Sequence, residues 1–267
     1  MKKRDLFYYL KIYGKILAQD IKSKMSYRAD FWISTIGMIA TNLAGAFSFW
    51  LIFQRFPSIN GWNYYEMLFL YGFSLLSATP AQCLFDNNWN LRQQVYSGDF
   101  IKYCFRPVNL FFYFMSEVFD IKGLGQLAFG VVAVVYAWTC LGIPVHIYTV
   151  LLFIVAVISA SLFVIALLNL AAATCFWLVN SFFVLSLSNQ LRDFAKYPMT
   201  IFSPAVRIVF TFLIPIGYMA YYPSLLFLRP QEISWVVWAT PAFGVLFFYI
   251  SYKVWMYGAM NYSGTGS

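Results

Sequence analysis

Residues 147–190 decide the fold: IYTVLLFIVAVISASLFVIALLNLAAATCFWLVNSFFVLSLSNQ. The stretch carries no charged side chain. As one helix it would run about 66 Å, roughly twice the hydrocarbon thickness of a bilayer. It therefore reads as two membrane spans. No charge marks their junction, so the turn is expected near 168–175, around Asn169.

The rest of the chain has the same character. It is 61% hydrophobic and only 10% charged, with a mean hydropathy of +0.68. Soluble domains carry about 25% charged residues, so a compact fold in water would lack polar surface. At 267 residues there is room for one membrane domain and no large extra one. The net charge of +8 does not point to nucleic acid, because the basic residues flank apolar segments. They read as orientation signals and contacts to anionic membrane lipid. Cys83, Cys104, Cys140 and Cys175 are scattered without CxxC spacing, which argues against a zinc site or disulfide framework. No short apolar core with a small-residue cleavage site opens the chain, so no cleaved signal peptide is expected.

Outward from 147–190, the N-terminal side divides readily. Leu6, Leu10, Tyr13, Leu17, Ile21 and Met25 form one apolar stripe, with Lys11, Lys15 and Lys22 on another face. Residues 1–28 thus read as an amphipathic helix lying on an anionic leaflet. A first span follows at 31–54, with Gly37, Thr41 and Gly45 spaced for close helix packing. A second runs from 63 to 85, with Glu66 in its first turn and Pro80 near its far end. Residues 86–108 are polar and contain Arg92, Lys102 and Arg106. Together with the basic N-terminus they mark the cytoplasmic side, and the two intervening crossings agree with that. Residues 109–118 approach the interface and 119–141 form a third span. Glu117, Asp120 and Lys122 read as a mutually neutralised cluster at the boundary rather than an intramembrane relay. A tight turn over 142–146 holds the sole histidine, His146.

Beyond 190 the pattern breaks. Arg192, Asp193 and Lys196 are followed by Pro198 and Pro204, and the apolar run 208–228 holds Pro215 and Pro223 between Arg207 and Arg229. A full crossing here would make seven spans and leave the C-terminus outside. The prolines cut the run into pieces too short to cross, which favours an external re-entrant segment over 197–228. Arg192, Lys196, Arg207 and Arg229 then lie outside. A last span covers 233–256. The expectation is an all-α polytopic protein of six transmembrane helices in one domain, 1–267, with both termini cytoplasmic in a plasma or inner membrane.

The chain has no GxxxxGK[ST] loop, no HExxH and no GxSxG with a plausible triad. Glu66, Asp86, Asp99, Glu117 and Asp120 sit at or near expected helix ends, and no acid falls at mid-membrane to couple an ion gradient. No catalytic, cofactor-binding or metal-binding residue is assigned. Two other classes stay open: a lipid-acting membrane enzyme, which would rely on Glu66, Glu117, Asp120 or His146, and a non-transporting scaffold subunit.

One family matches the order of these elements: a basic amphipathic helix, two spans, a cytoplasmic polar segment, then four spans with a proline-rich dip before the last. The segment Tyr96-Ser97-Gly98-Asp99-Phe100-Ile101-Lys102-Tyr103-Cys104-Phe105-Arg106-Pro107 adds to the likeness. So do Tyr197-Pro198, Arg207, Ile214-Pro215, Tyr221-Tyr222-Pro223 and the tail from Tyr262 to Ser267. The chain resembles the membrane subunit of an ABC-2-type exporter, departing from it at Gly98-Asp99-Phe100, where an apolar residue is usual before the acid. The resemblance implies a separate ATP-binding subunit that carries ATP and Mg, and a second permease, the same or a related chain. It implies that the segment around 90–103 is a coupling helix seated on the ATPase, with Tyr96 and Phe100 as anchors, Arg92 and Lys102 at a polar rim, and Gly98 within the motif. It also implies export, and the apolar, aromatic composition suggests a hydrophobic or amphipathic substrate.

Overall fold

The computed structural model describes residues 6–25, 28–178, 181–233 and 235–262. The basic residues Lys2, Lys3 and Arg4 and the tail from Ser263 lie outside the described residues. Apart from one isolated bridge between Ile59 and Trp62, the described structure is helical. The α-helices in chain order are α1 (Leu6–Met25), α2 (Arg28–Arg55), α3 (Tyr64–Leu84), α4 (Asn88–Tyr96), α5 (Ile101–Cys104), α6 (Leu110–Ser116), α7 (Lys122–Cys140), α8 (Ile147–Ala173), α9 (Ser181–Arg192), α10 (Pro204–Ile208), α11 (Tyr221–Leu228) and α12 (Trp235–Met260).

Five stretches are long and apolar enough to cross a membrane: Trp32–Arg55, Tyr64–Tyr96, Lys122–Cys140, Ile147–Phe176 and Trp235–Met260. This is a polytopic membrane protein. The expected sixth span is not a long helix. α9 has 12 residues, about 18 Å of rise, and its chain continues as short 3-10 turns at Asp193–Lys196 and Met199–Ile201.

The helices gather around α3 and α8, the two most heavily packed elements. At its N-terminus α3 closes a capping box: Asn63 Oδ1 accepts from the Glu66 amide and Glu66 Oε2 from the Asn63 amide, both at 2.9 Å. Against α7 it makes a backbone-to-backbone approach. A Cβ at Gly72 would lie 3.1 Å from the Gly130 carbonyl oxygen, and one at Gly130 would lie 3.2 Å from that of Gly72. Small residues allow such contact where lipid supplies no hydrophobic drive between helices. α2 is the least covered of the five long helices. Of its expected small-residue row, Gly45 packs against Tyr71, whereas a side chain at Gly37 would meet nothing.

The bundle has two recognisable ends. At the basal end, α1 docks beside the α6–α7 junction. Asp20 Oδ2 accepts from the Phe119 amide at 3.0 Å and from Lys24 Nζ at 2.8 Å, and Lys24 Nζ donates to the Phe119 carbonyl at 2.6 Å. The last described residue, Tyr262, bonds through its hydroxyl to the Val95 carbonyl at 2.9 Å. Both described ends of the chain therefore meet at the basal end, with α4, α5 and α6. The distal end carries the 56–63 and 141–146 turns.

Four expectations need correction. The turn near 168–175 is displaced, because α8 runs to Ala173 and the chain turns only at Thr174–Phe176. Ala171, Ala172 and Ala173 favour helix, and Asn169 meets an amide across the bundle instead of breaking the chain. The second half of the 147–190 stretch is the short α9, not a full span. Arg192 and Lys196 do not lie beyond the membrane-facing helices: the Asp193–Lys196 turn packs against α3, and Tyr197 stacks edge-on to Phe49, itself against Tyr71. Tyr71 lies about 10 Å along α3 from its start. Lastly, Glu117, Asp120 and Lys122 do not neutralise one another, since no ion pair among the described residues joins them.

Residues 200–229 leave and rejoin the same place. Trp62 Nε1 donates to Thr200 Oγ1 at 2.9 Å, and the Arg229 guanidinium lies 4.0 Å from the Trp62 ring centroid. Between them the chain descends through α10 and a π-helical turn at Val209–Leu213. It reverses around Pro215 and returns through α11. The two arms are cross-linked where Thr211 Oγ1 and Tyr222 Oη lie 2.6 Å apart.

Candidate functional site

Two features stand out, one at the basal end and one within the bundle. The basal feature is the 86–108 segment. α4 follows α3 almost directly and is polar on its outer side. Gly98 ends it with φ of +80°, a left-handed backbone that glycine adopts without steric cost. That reversal lets the Phe100 amide bond the Gln94 carbonyl at 2.9 Å.

The five residues expected to act here share this segment but not one environment. Tyr96 is 66% exposed. Lys102 is exposed, its Nζ 4.9 Å from the Tyr103 ring centroid. Arg92 is half-buried, and Gly98 makes the turn. Phe100 points inward and is 0% exposed. Its ring lies 5.4 Å from those of Phe176 and Tyr262, 5.9 Å from Phe114 and 6.0 Å from Trp255. It therefore fixes the segment to the ends of α8 and α12 and to α6. In its place the surface shows Ile101 and Phe105, the latter 80% exposed. Hydropathy missed both, because an apolar residue in a short turn gives no sign of which way it faces. The position of Phe105 beside Arg106-Pro107, where no helix continues, was the available hint.

Beneath the segment, the Tyr103 hydroxyl donates to the Glu117 carboxylate. Burial, then Glu117, pushes the Tyr103 hydroxyl well above its ordinary pKa, so it remains a neutral donor. Asp120 accepts from Gln82 Nε2 at 3.3 Å and from the Lys122 amide at 3.1 Å. Asp86 lines the inner cavity described next, and Asp99 Oδ2 accepts from Ser97 Oγ at 2.7 Å. At the distal end Glu66 caps α3 and pairs with Arg229 at 3.4 Å, and His146 is exposed at the start of α8. Glu66 and His146 thus stand at the opposite end from Glu117 and Asp120, and the four do not converge on one site.

The second feature is a cavity of about 400 Å³ between α2, α3, α7, α8 and α9. Its lining is more polar than composition suggests. Asn42, Ser77 and Gln126 line it from three helices, with Gln126 Nε2 donating to the Leu75 carbonyl at 2.9 Å. Tyr71 Oη donates to the Asn42 carbonyl at 3.1 Å. At the basal floor Asn88 Nδ2 donates to Asn169 Oδ1 at 2.7 Å, joining α4 to α8. Arg192, Asp193 and Lys196 enter from the end of α9. Their charges lie along the bundle wall, where sequence reading placed only neutral residues. The signal was the shortness of the helical pattern after 181, which brings the charged run to the middle of α3.

Comparison with known proteins fits this architecture. A sequence model of one family, described as ABC-2 family transporter protein, matches residues 37–266. No curated protein and no solved structure matches the chain. The matched region takes in most of α2, the other four long helices, the basal segment, the cavity and the 200–229 fold-back, and the chain belongs to the ABC-2 family of transporter membrane proteins.

Proposed function

We propose that this chain is the membrane subunit of an ATP-driven exporter, working with a separate ATP-binding subunit and a second permease, the same or a related chain. ABC-2 permeases generally pair with ATP-binding subunits, and this sequence has no phosphate-cradling loop of its own. The observation that carries the reading is the build of the basal segment. It exposes Tyr96, Ile101 and Phe105 on one short stretch, and exposed aromatic anchors of this kind form the centres of protein interfaces. Behind them, Phe100 is clamped to α6, α8 and α12. Close-packed interiors shift as units, so a force on the segment reaches the spans directly. Phe100 acts on this reading as the linchpin, with Tyr96 and Phe105 as contacts and Arg92 and Lys102 at the polar edge.

The basal end is the cytoplasmic one on this reading. Lys11, Lys15, Lys22, Lys24, Arg92, Lys102, Arg106 and Lys122 gather there, as the positive-inside rule requires. α1 lies along the headgroups, and the termini are cytoplasmic. The chain makes six passages, the fifth assembled from α9 and the 193–201 turns, and residues 200–229 form an external re-entrant element. The substrate moves through the inner cavity as the permease pair alternates between access states. The acids that a lipid-acting enzyme would use are engaged in caps and structural bonds, which leaves that alternative with less support. The test is co-purification of the full chain under mild detergent with a candidate ATPase subunit. ATP-driven transport by the complex and none without nucleotide is the expected result, and transport by the chain alone would refute it.

A further inference from the structure

The inner cavity holds a cation that the fold does not neutralise. Arg192 Nη2 pairs with Asp193 Oδ1 at 3.1 Å. Asp86, at the basal side of the same cavity, has Asp120 as well as Lys24 and Lys122 near enough to act on its charge. Lys196 pairs with no carboxylate among the described residues, and its Nζ lies 5.4 Å from the Tyr197 ring centroid. In the same lining, on α2, Asn42 is 4% exposed and its Nδ2 donor has no acceptor among the described residues. A buried donor without a partner carries an uncompensated desolvation cost, and an ionisable group at membrane depth is costly unless used. An ammonium and an amide donor left open in the lining of one cavity call for an acceptor carrying negative charge.

We infer that the cavity binds the anionic head group of an amphipathic molecule, a phosphate or carboxylate held by Lys196 and Asn42. The volume suits a head group rather than a whole lipid. The hydrocarbon part has an exit. α2 and α9 both line the cavity yet pack little on each other, and α9 exposes Phe182, Phe183 and Leu187. A head group in the cavity with its chain between α2 and α9 satisfies both surfaces. This inference rests on the transport reading only in naming the ligand as cargo; the site itself is argued from its residues.

The test uses the full chain in nanodiscs of phosphatidylcholine, with radiolabelled dodecyl phosphate as probe and binding read by scintillation proximity. Saturable binding is expected, with Lys196→Gln weakening it at least about tenfold and Lys196→Arg restoring most of it. On the wild-type chain, unlabelled dodecyl phosphate displaces the probe, whereas dodecyl maltoside at the same concentration does not. Equal affinity in Lys196→Gln, or equal displacement by dodecyl maltoside, overturns the anionic site. Equal displacement by inorganic phosphate overturns the amphipath. No ATPase takes part in the measurement. Binding as described without ATP-driven transport would therefore refute the transport reading alone, while transport with unchanged Lys196→Gln binding would refute the anionic site alone.

Discussion

The Arg229 guanidinium sits 4.0 Å from the centre of the Trp62 ring, at the point where the fold-back rejoins the bundle. The same ring, fully buried, donates to Thr200 where the fold-back begins. One side chain thus closes a loop that starts and ends at the distal end. Arg229 completes the closure by donating to the Gly61 carbonyl at 2.6 Å and pairing with Glu66.

Trp62→Ala removes this closure and is expected to destabilise the protein by about 3–5 kcal/mol. Trp62→Phe keeps a ring for Arg229 but loses the Thr200 bond, for about 1 kcal/mol. Thermal unfolding in detergent reads both. Equal melting of Trp62→Ala and wild type would show that the fold-back holds itself.

Gly72 and Gly130 carry the approach of α3 to α7. Gly72→Val places a side chain against Val134, Ala133 and the Gly130 carbonyl. Overpacking of this kind costs about 1–3 kcal/mol, more where backbone must move. The melting midpoint is expected to fall, and the purified yield with it. By contrast Gly37→Val, at a position that meets nothing within the chain, leaves the melting midpoint of the single chain unchanged.

The Asp20–Lys24–Phe119 bonds hold α1 to the bundle. Asp20→Asn weakens a charge-assisted pair and is expected to cost about 1.5–3 kcal/mol of α1 docking. Limited proteolysis then cuts within 6–25 faster than in wild type while α2 onward stays protected. Unchanged cleavage would mean that α1 is held by other contacts, such as Tyr9 against Phe112.

Phe100 and Tyr96 separate folding from contact. Phe100→Ala empties the centre of an aromatic cluster and is expected to cost about 3–5 kcal/mol. Tyr96→Ala, at an exposed position, is expected to change stability by about 0.5 kcal/mol or less. The ranking is read from melting midpoints, and its reversal would contradict the buried and exposed places of the two rings.

Much of this fold was legible in the sequence for simple reasons. Long apolar runs announced α2, α3, α7, α8 and α12, and the apolar stripe with lysines on another face announced α1. Period and hydropathy fail where a helix is short or its neighbours supply the partner. Asn169 looked like a turn residue, but Asn88 answers its amide and α8 runs on. Arg192 and Lys196 look external in the sequence because a full span is read before them and a re-entrant segment after them. Only the early end of α9 and the packing of Asp193–Lys196 on α3 bring them into the bundle. The family resemblance made Phe100 an expected surface anchor, yet the turn at Gly98 points it inward and leaves Ile101 and Phe105 outside.

The central claim is that the exposed 96–105 surface takes its drive from an ATPase subunit. Its most direct test is ATP hydrolysis by the reconstituted complex with Tyr96→Ala and Phe105→Ala combined. Loss of two such anchors typically costs at least about 2 kcal/mol of interface energy, so the account predicts that the ATPase binds at least about thirtyfold more weakly and that transport stops while the permease melts as wild type. Wild-type assembly and transport by the double variant would contradict it.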